Sequence, residues 1–118
     1  MTPKTPPPQP GRPVRGSTTG RPLMAALDLF GRRWILRVLW ELREGPQGFR
    51  PLQRRCDGMS SSVLMQRLTE LEQVGLVQRT DDGGPSGRYE LTELGRDLGR
   101  AIRPLEAWAV RWDAEISG

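Results

Sequence analysis

The alternation of apolar and polar positions predicts a helix between Ser60 and Gly75. Leu64, Leu68 and Leu71 recur at spacings of four and three residues, so they share one face. Ser60 suits the N-terminal cap because its hydroxyl can accept a backbone N–H, and Gly75 suits the C-terminal end. The opposite face carries short or unbranched side chains without a carboxylate: Ser61, Ser62, Met65, Gln66 and Thr69.

Two runs with strand character follow this helix. They cover residues 76–80 and 88–92, and the segment Asp81–Gly87 between them consists of turn-forming residues. A helix with a polar outer face that leads into a hairpin is typical of a winged helix-turn-helix, whose outer face enters the DNA major groove. On the helix alone, an ordinary solvent-facing surface is the favoured interpretation. The hairpin shifts the balance towards DNA binding.

Three shorter helices are predicted before this pair of elements, over Pro22–Phe30, Arg33–Glu44 and Arg50–Cys56. The first carries Leu23 and Leu27 on its apolar face. The second is apolar on nearly all sides, so a second subunit is expected to supply part of its cover. The third would open the helix-turn-helix, with residues 57–59 as the turn. Its outward Arg54 and Arg55 lie where such a helix crosses the phosphate backbone, with a solvated basic surface as the alternative.

A long amphipathic helix is predicted after the hairpin, from a cap at Thr92 to about Ile116. Pro104 removes a backbone donor and is expected to kink it. Its apolar stripe is Leu94, Leu98, Ile102, Leu105, Trp108 or Ala109, Trp112 and Ile116. The stripe exceeds what a compact domain can cover, so a symmetric homodimer is expected, the alternative being a helix that folds back onto its own domain. The predicted interface residues are Leu23, Leu27, Trp34, Leu105, Trp108 and Trp112. The expected fold class is therefore mainly α with a small β-hairpin, a winged helix-turn-helix with long N- and C-terminal dimerisation helices.

The charge of the chain is distributed unevenly. Residues 1–21 contain four basic residues, no acidic residue and many Pro, Gly and Thr, which predicts a disordered, Pro-rich basic arm before a domain at 22–118. Residues 32–67 contain eight Arg against three acids, whereas residues 68–118 contain six Arg against ten acids. A basic half beside an acidic half suggests one face for DNA and another for a different role.

The composition also disfavours several classes of function. One cysteine and no histidine exclude a disulfide framework and make a zinc or haem site improbable. No nucleophile motif or phosphate-binding loop is recognisable, so neither an enzyme nor a cofactor is expected. No apolar run approaches the length of a membrane span, and the N-terminus lacks the hydrophobic segment of a signal peptide. A cytoplasmic location without membrane contact is expected.

Short motifs along the chain resemble the HxlR-type transcriptional regulators, a branch of the MarR-like winged-helix proteins. The resemblance covers residues 22–112. Its landmarks are residues 27–34 (LDLFGRRW), 39–42 (LWEL), 45–46 (GP), 49–52 (FRPL), 58–68 (GMSSSVLMQRL), 71–72 (LE), 75–77 (GLV), 89–95 (YELTELG) and Trp108. Each motif alone is weak, whereas their order and spacing together are specific.

The resemblance implies a homodimer that binds an operator and represses or activates transcription. It places the helix Ser61–Leu71 in the major groove and the wing Asp81–Gly87 at the adjacent minor groove or backbone. The predicted base contacts are Ser61, Ser62, Met65 and Gln66, and the predicted phosphate contacts are Arg50, Arg54, Arg55, Arg67 and Arg88. Gln66 is the strongest candidate because its amide can bond an adenine with two hydrogen bonds. For Arg67, an ion pair with an acid of its own domain is the alternative.

Two features depart from the family pattern. Several family members sense oxidants or electrophiles through a Cys just before the first-helix Pro, a position held here by Arg21. Cys56 lies instead on the apolar side of the third helix, where a small buried residue is expected. Asp81 and Asp82 at the start of the wing oppose phosphate, so Arg79, Ser86 and Arg88 would have to make any contact there.

Two other functions stay open at this stage. The first is a winged-helix module that docks a protein partner through its acidic half or wing, without specific DNA binding. The second is a repressor that responds to a small-molecule effector in an apolar pocket at the dimer interface, lined by Trp34, Trp40, Trp108 and Trp112. Aromatic residues at helical spacing more often form plain core, which places the second interpretation lower.

Overall fold

The computed structural model describes residues 6–80 and 87–118. In chain order, the elements are α1 (Pro22–Phe30), α2 (Ile35–Glu41), β1 (Gln47–Gly48), α3 (Phe49–Arg55), α4 (Ser61–Gln73), β2 (Val77–Thr80), β3 (Arg88–Leu91) and α5 (Glu93–Ser117). The molecule is mainly helical with a small antiparallel sheet, which confirms the predicted winged helix-turn-helix class. Of the predicted wing tip, residues 81–86 lie outside the described residues. In the described part of the chain, no helix is long and apolar enough to cross a membrane.

Local capping explains where the two longest helices begin. Ser60 has extended backbone angles, and its hydroxyl accepts the backbone N–H of Val63 at 3.2 Å. Thr92 does the same for α5, accepting the N–H of Gly95 at 3.0 Å. Because a capping hydroxyl satisfies a donor that the helix itself leaves unpaired, both caps were predictable from sequence. Both predictions are confirmed.

The second helix is shorter than the prediction of Arg33–Glu44. Trp34 has a φ of 77°, in the left-handed region, so the helix cannot include it and begins at Ile35. The helix ends at Glu41 and is followed by turns over residues 42–44. Gly45, with a φ of 149°, comes directly after them. The left-handed backbone of Trp34 costs conformational free energy. Packing of its ring against the core offsets this cost.

The sheet has a third strand that the sequence did not predict. β1 pairs antiparallel with β3 through Gln47↔Tyr89 and Gly48↔Arg88. β2 pairs with the other edge of β3, from Val77↔Leu91 to Thr80↔Arg88, so the order is β1-β3-β2. A two-residue strand carries no alternation of apolar and polar residues, which is why the prediction was a two-stranded hairpin.

The hydrophobic core lies where α2, α3 and α4 meet the sheet. Its fully buried side chains include Ile35, Val38, Leu42, Leu52, Cys56, Leu64, Leu68 and Leu71. Leu23 and Leu27 of α1 are not part of it, because they are 69% and 51% exposed, whereas Ala25 and Leu29 are buried and Phe30 packs against the core. Along α5, only Gly95 near the N-terminus is fully buried. Both terminal helices therefore present apolar side chains to solvent.

The segment before α1 differs from the disordered arm predicted for residues 1–21. Residues 1–5 lie outside the described part. Further along, the N–H of Gly11 donates to the carbonyl of Gly20, and Val14 and Ser17 exchange two backbone hydrogen bonds. The N–H of Arg15 donates to the Asp28 carboxylate of α1 at 3.2 Å. Glycines with positive φ close these turns, which composition alone does not reveal.

Candidate nucleic-acid interface

A sharp turn joins α3 to α4 and forms the helix-turn-helix. Asp57 and Gly58 both have a positive φ, of 57° and 68°, so the chain reverses within two residues. The N–H of Gly58 closes the turn on the carbonyl of Gln53 at 2.9 Å. Glycine adopts this conformation without strain, and Asp tolerates it better than most residues. The predicted turn at residues 57–59 is confirmed.

The outer face of α4 carries the predicted base contacts. Ser61, Ser62, Met65 and Thr69 are exposed and Gln66 is half-buried. Leu64, Leu68 and Leu71 on the inner side of the helix are completely buried. The structure therefore has the two-faced helix that the pattern predicted. From Ser61 to Thr69 its outer side carries no carboxylate, and the exposed Glu72 lies near the C-terminal end.

A glutamine outside the predicted site residues joins the two helices of the motif. The side-chain Nε2 of Gln53 donates to the carbonyl of Met59 at 2.9 Å and to the Ser61 hydroxyl oxygen at 3.0 Å. Gln53 lies on α3, next to the predicted phosphate contact Arg54. In sequence it is one of several polar residues on an outward face, so no signal distinguished it.

The cationic side chains of α3 differ in how far they are already paired. Arg50 and Arg54 are exposed and form no ion pair within residues 6–80 and 87–118. Arg55 Nη1 lies 3.6 Å from a Glu44 oxygen and 4.0 Å from a Glu41 oxygen. The charge of Arg55 is thus partly balanced within its own chain. Arg50 and Arg54 are the stronger candidates for phosphate.

Arg67 corrects a prediction. Its Nη1 lies 2.6 Å from Oε1 of Glu70, and its Nε donates to the carbonyl of Arg33 at 2.6 Å. The side chain is only 16% exposed, since α4 packs this side against the loop after α1. Glu70 also accepts from Arg32 Nη1 at 2.8 Å. Arg67 is therefore an intramolecular partner of Glu70, the alternative expected from an acid of its own domain, which makes it a weaker candidate for phosphate than Arg50 and Arg54.

The strands of the wing carry a basic residue on each side of the hairpin. Arg88 begins β3 and is exposed, with contacts of its own. The guanidinium of Arg79 on β2 lies 5.7 Å from the ring centroid of Tyr89, a buried residue of β3. The predicted contact Ser86 and the acidic Asp81 and Asp82 lie outside the described residues.

Most of the predicted dimer residues are exposed. Leu105, Trp108 and Trp112 on α5 are each a little over half exposed, and the two indole rings stack with centroids 5.6 Å apart. Leu23 and Leu27 of α1 are exposed as well. Trp34 is the exception, because it is half-buried against the core of its own chain.

Two of the tryptophans have defined partners apart from the stacked pair on α5. Trp40 lies under the guanidinium of Arg43, 3.8 Å from its ring centroid, and Trp34 lies 5.9 Å from the guanidinium of Arg33. An open cavity of about 340 Å³ lies beside α1 and contains none of them. Its lining is Arg15, Leu27, Asp28, Gly31 and Arg32. In the described part of the chain, no group of acidic or cysteine side chains is arranged to hold a metal ion.

The comparison with known families decides the class of this protein. Residues 29–117 match the family described as HxlR-like helix-turn-helix. The chain belongs to the HxlR family. It is 32% identical over 89 residues to YvaP of Bacillus subtilis, described as an uncharacterised HTH-type transcriptional regulator, covering 74% of this chain and 82% of YvaP. It is also 31% identical over 96 residues to the HTH-type transcriptional regulator YodB of B. subtilis, covering 80% and 86% of the two chains.

Solved structures of related regulators agree with this family assignment. Quinone-bound YodB superposes with a TM-score of 0.68 at 31% identity, covering 75% of this chain and 96% of YodB. A regulator of the MarR family from Enterococcus faecalis superposes with a TM-score of 0.70 at 29% identity, covering 86% and 97%. The chain is a transcriptional regulator of the HxlR/MarR type.

The one cysteine of this HxlR regulator lies in the core. Cys56 is completely buried at the end of α3, and burial raises the pKa of its thiol, with Glu41 adding in the same direction. A thiol that keeps its proton is a poor nucleophile, because the thiolate is the reactive form. Arg21 occupies the position before Pro22, so neither place offers an exposed, acidic thiol.

Proposed function

We propose that this HxlR regulator acts as a homodimer that binds a specific operator in cytoplasmic DNA and controls transcription there. The observation that carries the proposal is the outer side of α4 from Ser61 to Thr69, which is polar and without a carboxylate, above a row of buried leucines. Such a face can approach the major groove without repelling phosphate. Arg50 and Arg54 on the preceding helix supply positive charge beside it.

In this proposal the side chains divide into two roles. Ser61, Ser62, Met65 and Gln66 face base edges, since they lie on the outer side of α4. The arginines contact phosphates, which positions α4 without reading sequence. Arg50 and Arg54 are the principal phosphate contacts and Arg88 of the wing is a further one, whereas the ion pairs of Arg55 with Glu41 and Glu44 reduce its contribution.

The homodimer is supported by the apolar side chains of the terminal helices. Leu105, Trp108 and Trp112 form a stripe along α5, and α1 adds Leu23 and Leu27. Monomeric proteins rarely leave such a contiguous apolar surface in water. A two-fold dimer would cover both copies of it and present two α4 helices to successive major grooves, so the operator is expected to be a near-palindrome.

The salt dependence of binding tests the DNA interface. The probe is a duplex selected from a random library by the purified full chain. Neutralising one phosphate contact lowers the slope of log affinity against log salt by about 0.9, and a homodimer carries each substitution twice. Arg54→Gln should therefore flatten the slope by up to about two units.

The matched control for that test is Arg103→Gln, which removes the same charge from an exposed position on α5. It should leave the slope unchanged. A slope unaffected by Arg54→Gln would remove Arg54 from the interface. Failure of the wild-type chain to select any duplex would instead favour a protein-interaction module.

A single substitution tests base reading by α4. Gln66→Ala should weaken binding to the selected duplex by about 1–3 kcal/mol and relax preference at one base position. Affinities for the duplex and its single-base variants, measured by fluorescence anisotropy, give both quantities. Equal losses at every position would mean that Gln66 does not read a base.

A further inference from the structure

The side-chain amide of Gln53 connects the end of the helix-turn-helix turn to the first residue of α4. Its Nε2 donates to the Met59 carbonyl at 2.9 Å and to the Ser61 hydroxyl oxygen at 3.0 Å. Both bonds join α3 to the segment that positions the start of α4. Gln53 is half-buried, so its amide is shielded on one side from competing water.

The chemistry of the two acceptors fixes the orientation of this amide. A backbone carbonyl only accepts hydrogen bonds, so the NH₂ end of Gln53 must face Met59. The same nitrogen then directs its second hydrogen to the Ser61 oxygen. Both amide hydrogens are used, and the Ser61 hydroxyl serves as an acceptor on its inner side.

The hydrogen bond from Gln53 limits the directions in which the hydroxyl hydrogen of Ser61 can point. A hydroxyl has one hydrogen, and that hydrogen cannot point towards a group that is already donating to its oxygen. Within residues 6–80 and 87–118, no other acceptor for it is present. The neighbouring hydroxyls differ, because Ser60 is engaged as the helix cap and Ser62 pairs with Ser60 at 3.4 Å. Ser61 therefore keeps its O–H free to donate to whatever α4 faces, together with the second lone pair of its oxygen.

We propose that Gln53 is a positioning residue for specificity: by donating to the Ser61 oxygen, it keeps the Ser61 hydrogen free to donate to the base edge that Ser61 reads. This inference rests on the proposed operator binding. In the major groove the acceptors are the N7 of either purine, guanine O6 and thymine O4, whereas cytosine presents an amino donor. Ser61 can thus donate to a purine or to thymine, an interaction that it loses if its hydrogen is drawn inward.

Substitutions of Gln53 separate this role from simple support of the turn. Gln53→Glu has nearly the same shape but no hydrogens, so Ser61 must donate inward to the carboxylate and present its lone pairs outward. The preference at the Ser61 position should then move towards cytosine or adenine, whose amino groups donate. Gln53→Met removes both bonds and should abolish the preference at that position without reversing it.

The measurement is binding of each variant to the selected duplex and to all its single-base variants. The wild-type chain should prefer a purine or thymine at the position that Ser61 reads, and Ser61→Ala should lose the preference at that position only. For each variant, the affinities for different duplexes are compared as ratios. These ratios cancel the general loss of affinity that an added negative charge causes. Gln73→Glu, which adds the same charge at an exposed site near the other end of α4, should keep the wild-type preferences. Circular dichroism melting of every variant verifies that it is folded.

The outcomes distinguish this inference from the function on which it rests. A reversal in Gln53→Glu at the position that Ser61→Ala flattens supports it. Wild-type preferences in both Gln53 variants would overturn it while leaving operator binding intact, and so would a Ser61→Ala variant that keeps all preferences. If the wild-type chain selects no duplex, the proposed function fails, and this inference fails with it.

Discussion

At the scale of single residues, the carboxylate of Glu70 shows how a charged group becomes part of a fold. Its side chain is 7% exposed and receives hydrogen bonds from Arg32 and Arg67. Taking a carboxylate out of water is costly, and here two guanidinium groups offset that cost. Arg67 also donates to the carbonyl of Arg33, so the middle of α4 is attached to the loop between α1 and α2.

We expect Glu70→Ala to lower the free energy of unfolding by about 3 kcal/mol, because it leaves two partly buried guanidinium groups without their shared partner. Urea titration followed by circular dichroism measures the change. Glu72→Ala is the matched control: it removes an exposed carboxylate from the same helix and should change stability by less than about 0.5 kcal/mol. Equal effects of the two substitutions would contradict the assigned role of Glu70.

Cys56 provides a prediction about pH. Burial raises the pKa of its thiol, so the native chain holds this proton at pH values where the unfolded chain, with a thiol pKa of about 8.5, has lost it. The protonated thiol of Cys56 therefore contributes fully to the free energy of unfolding below the pKa of the unfolded chain. This contribution is lost as the pH rises through the pKa of the native chain. The difference in free energy of unfolding between the wild-type chain and Cys56→Ala should narrow as the pH rises above about 8.5. A constant difference would contradict this.

The sequence predicted residue roles where the cause was local. The caps at Ser60 and Thr92 depend only on a hydroxyl beside a helix start, and both were predicted correctly. The hydrogen bond from Arg67 to the Arg33 carbonyl and the amide bonds of Gln53 depend on which segment packs against the side chain. Spacing along one helix does not contain that information.

At the scale of elements, α5 begins in close contact with the loop between α4 and β2. A methyl group at Gly95 would collide with the carbonyl oxygen of Leu76 and press on Leu91. That same carbonyl accepts the N–H of Thr92, and the Thr92 hydroxyl donates to the carbonyl of Gly75 at 2.6 Å. The start of α5 thus depends on a backbone approach that only glycine permits.

Two glycines one turn apart on α5 test this contact. Gly95→Ala should destabilise the chain by about 3 kcal/mol, since the obstructing atom is backbone and cannot rotate away. Gly99→Ala meets nothing within 4 Å and should stabilise the helix by about 0.5–1 kcal/mol. In thermal melts, the Tm should fall in Gly95→Ala and rise in Gly99→Ala. Shifts of the same sign would contradict it.

The elements themselves were largely predictable, because long amphipathic helices carry many repeats of their pattern. The bounds of α1 and the start of α4 agree with the prediction. The start of α2 was wrong by two residues because a left-handed Trp34 has no sequence signature. β1 was missed because Gln47 and Gly48 form a strand only through β3, which lies far away in sequence.

At the scale of the whole molecule, the apolar stripe of α5 leaves several large side chains in contact with solvent. Its residues were predicted from periodicity. Leu98 packs against the core and Ile102 is half-buried, whereas Leu94, Leu105, Trp108, Trp112 and Ile116 are exposed. The homodimer that would cover them stays a prediction. The large aromatic side chains are the natural anchors of such an interface.

We expect Trp112→Glu to convert the dimer into a monomer, because a carboxylate at the centre of an apolar interface would lose its hydration. Sedimentation velocity measures the mass of the particle. Val110→Glu is the matched control, since Val110 is 67% exposed and helical geometry places it on the other side of α5 from the stripe. It should leave the dimer intact. Disruption by both substitutions, or by neither, would contradict the proposed interface.

The central place of β3 in the sheet has a consequence for the order in which the molecule folds. β3 bonds to β2 nearby in sequence but also to β1, which precedes α3 and α4. Pairing β1 with β3 closes a loop that contains the entire helix-turn-helix, and closing a long loop is entropically costly until its contents are compact. We therefore expect α3 and α4 to form before the sheet is complete. The pairing of β1 with β3 would be the last part of the sheet to form and the first to open.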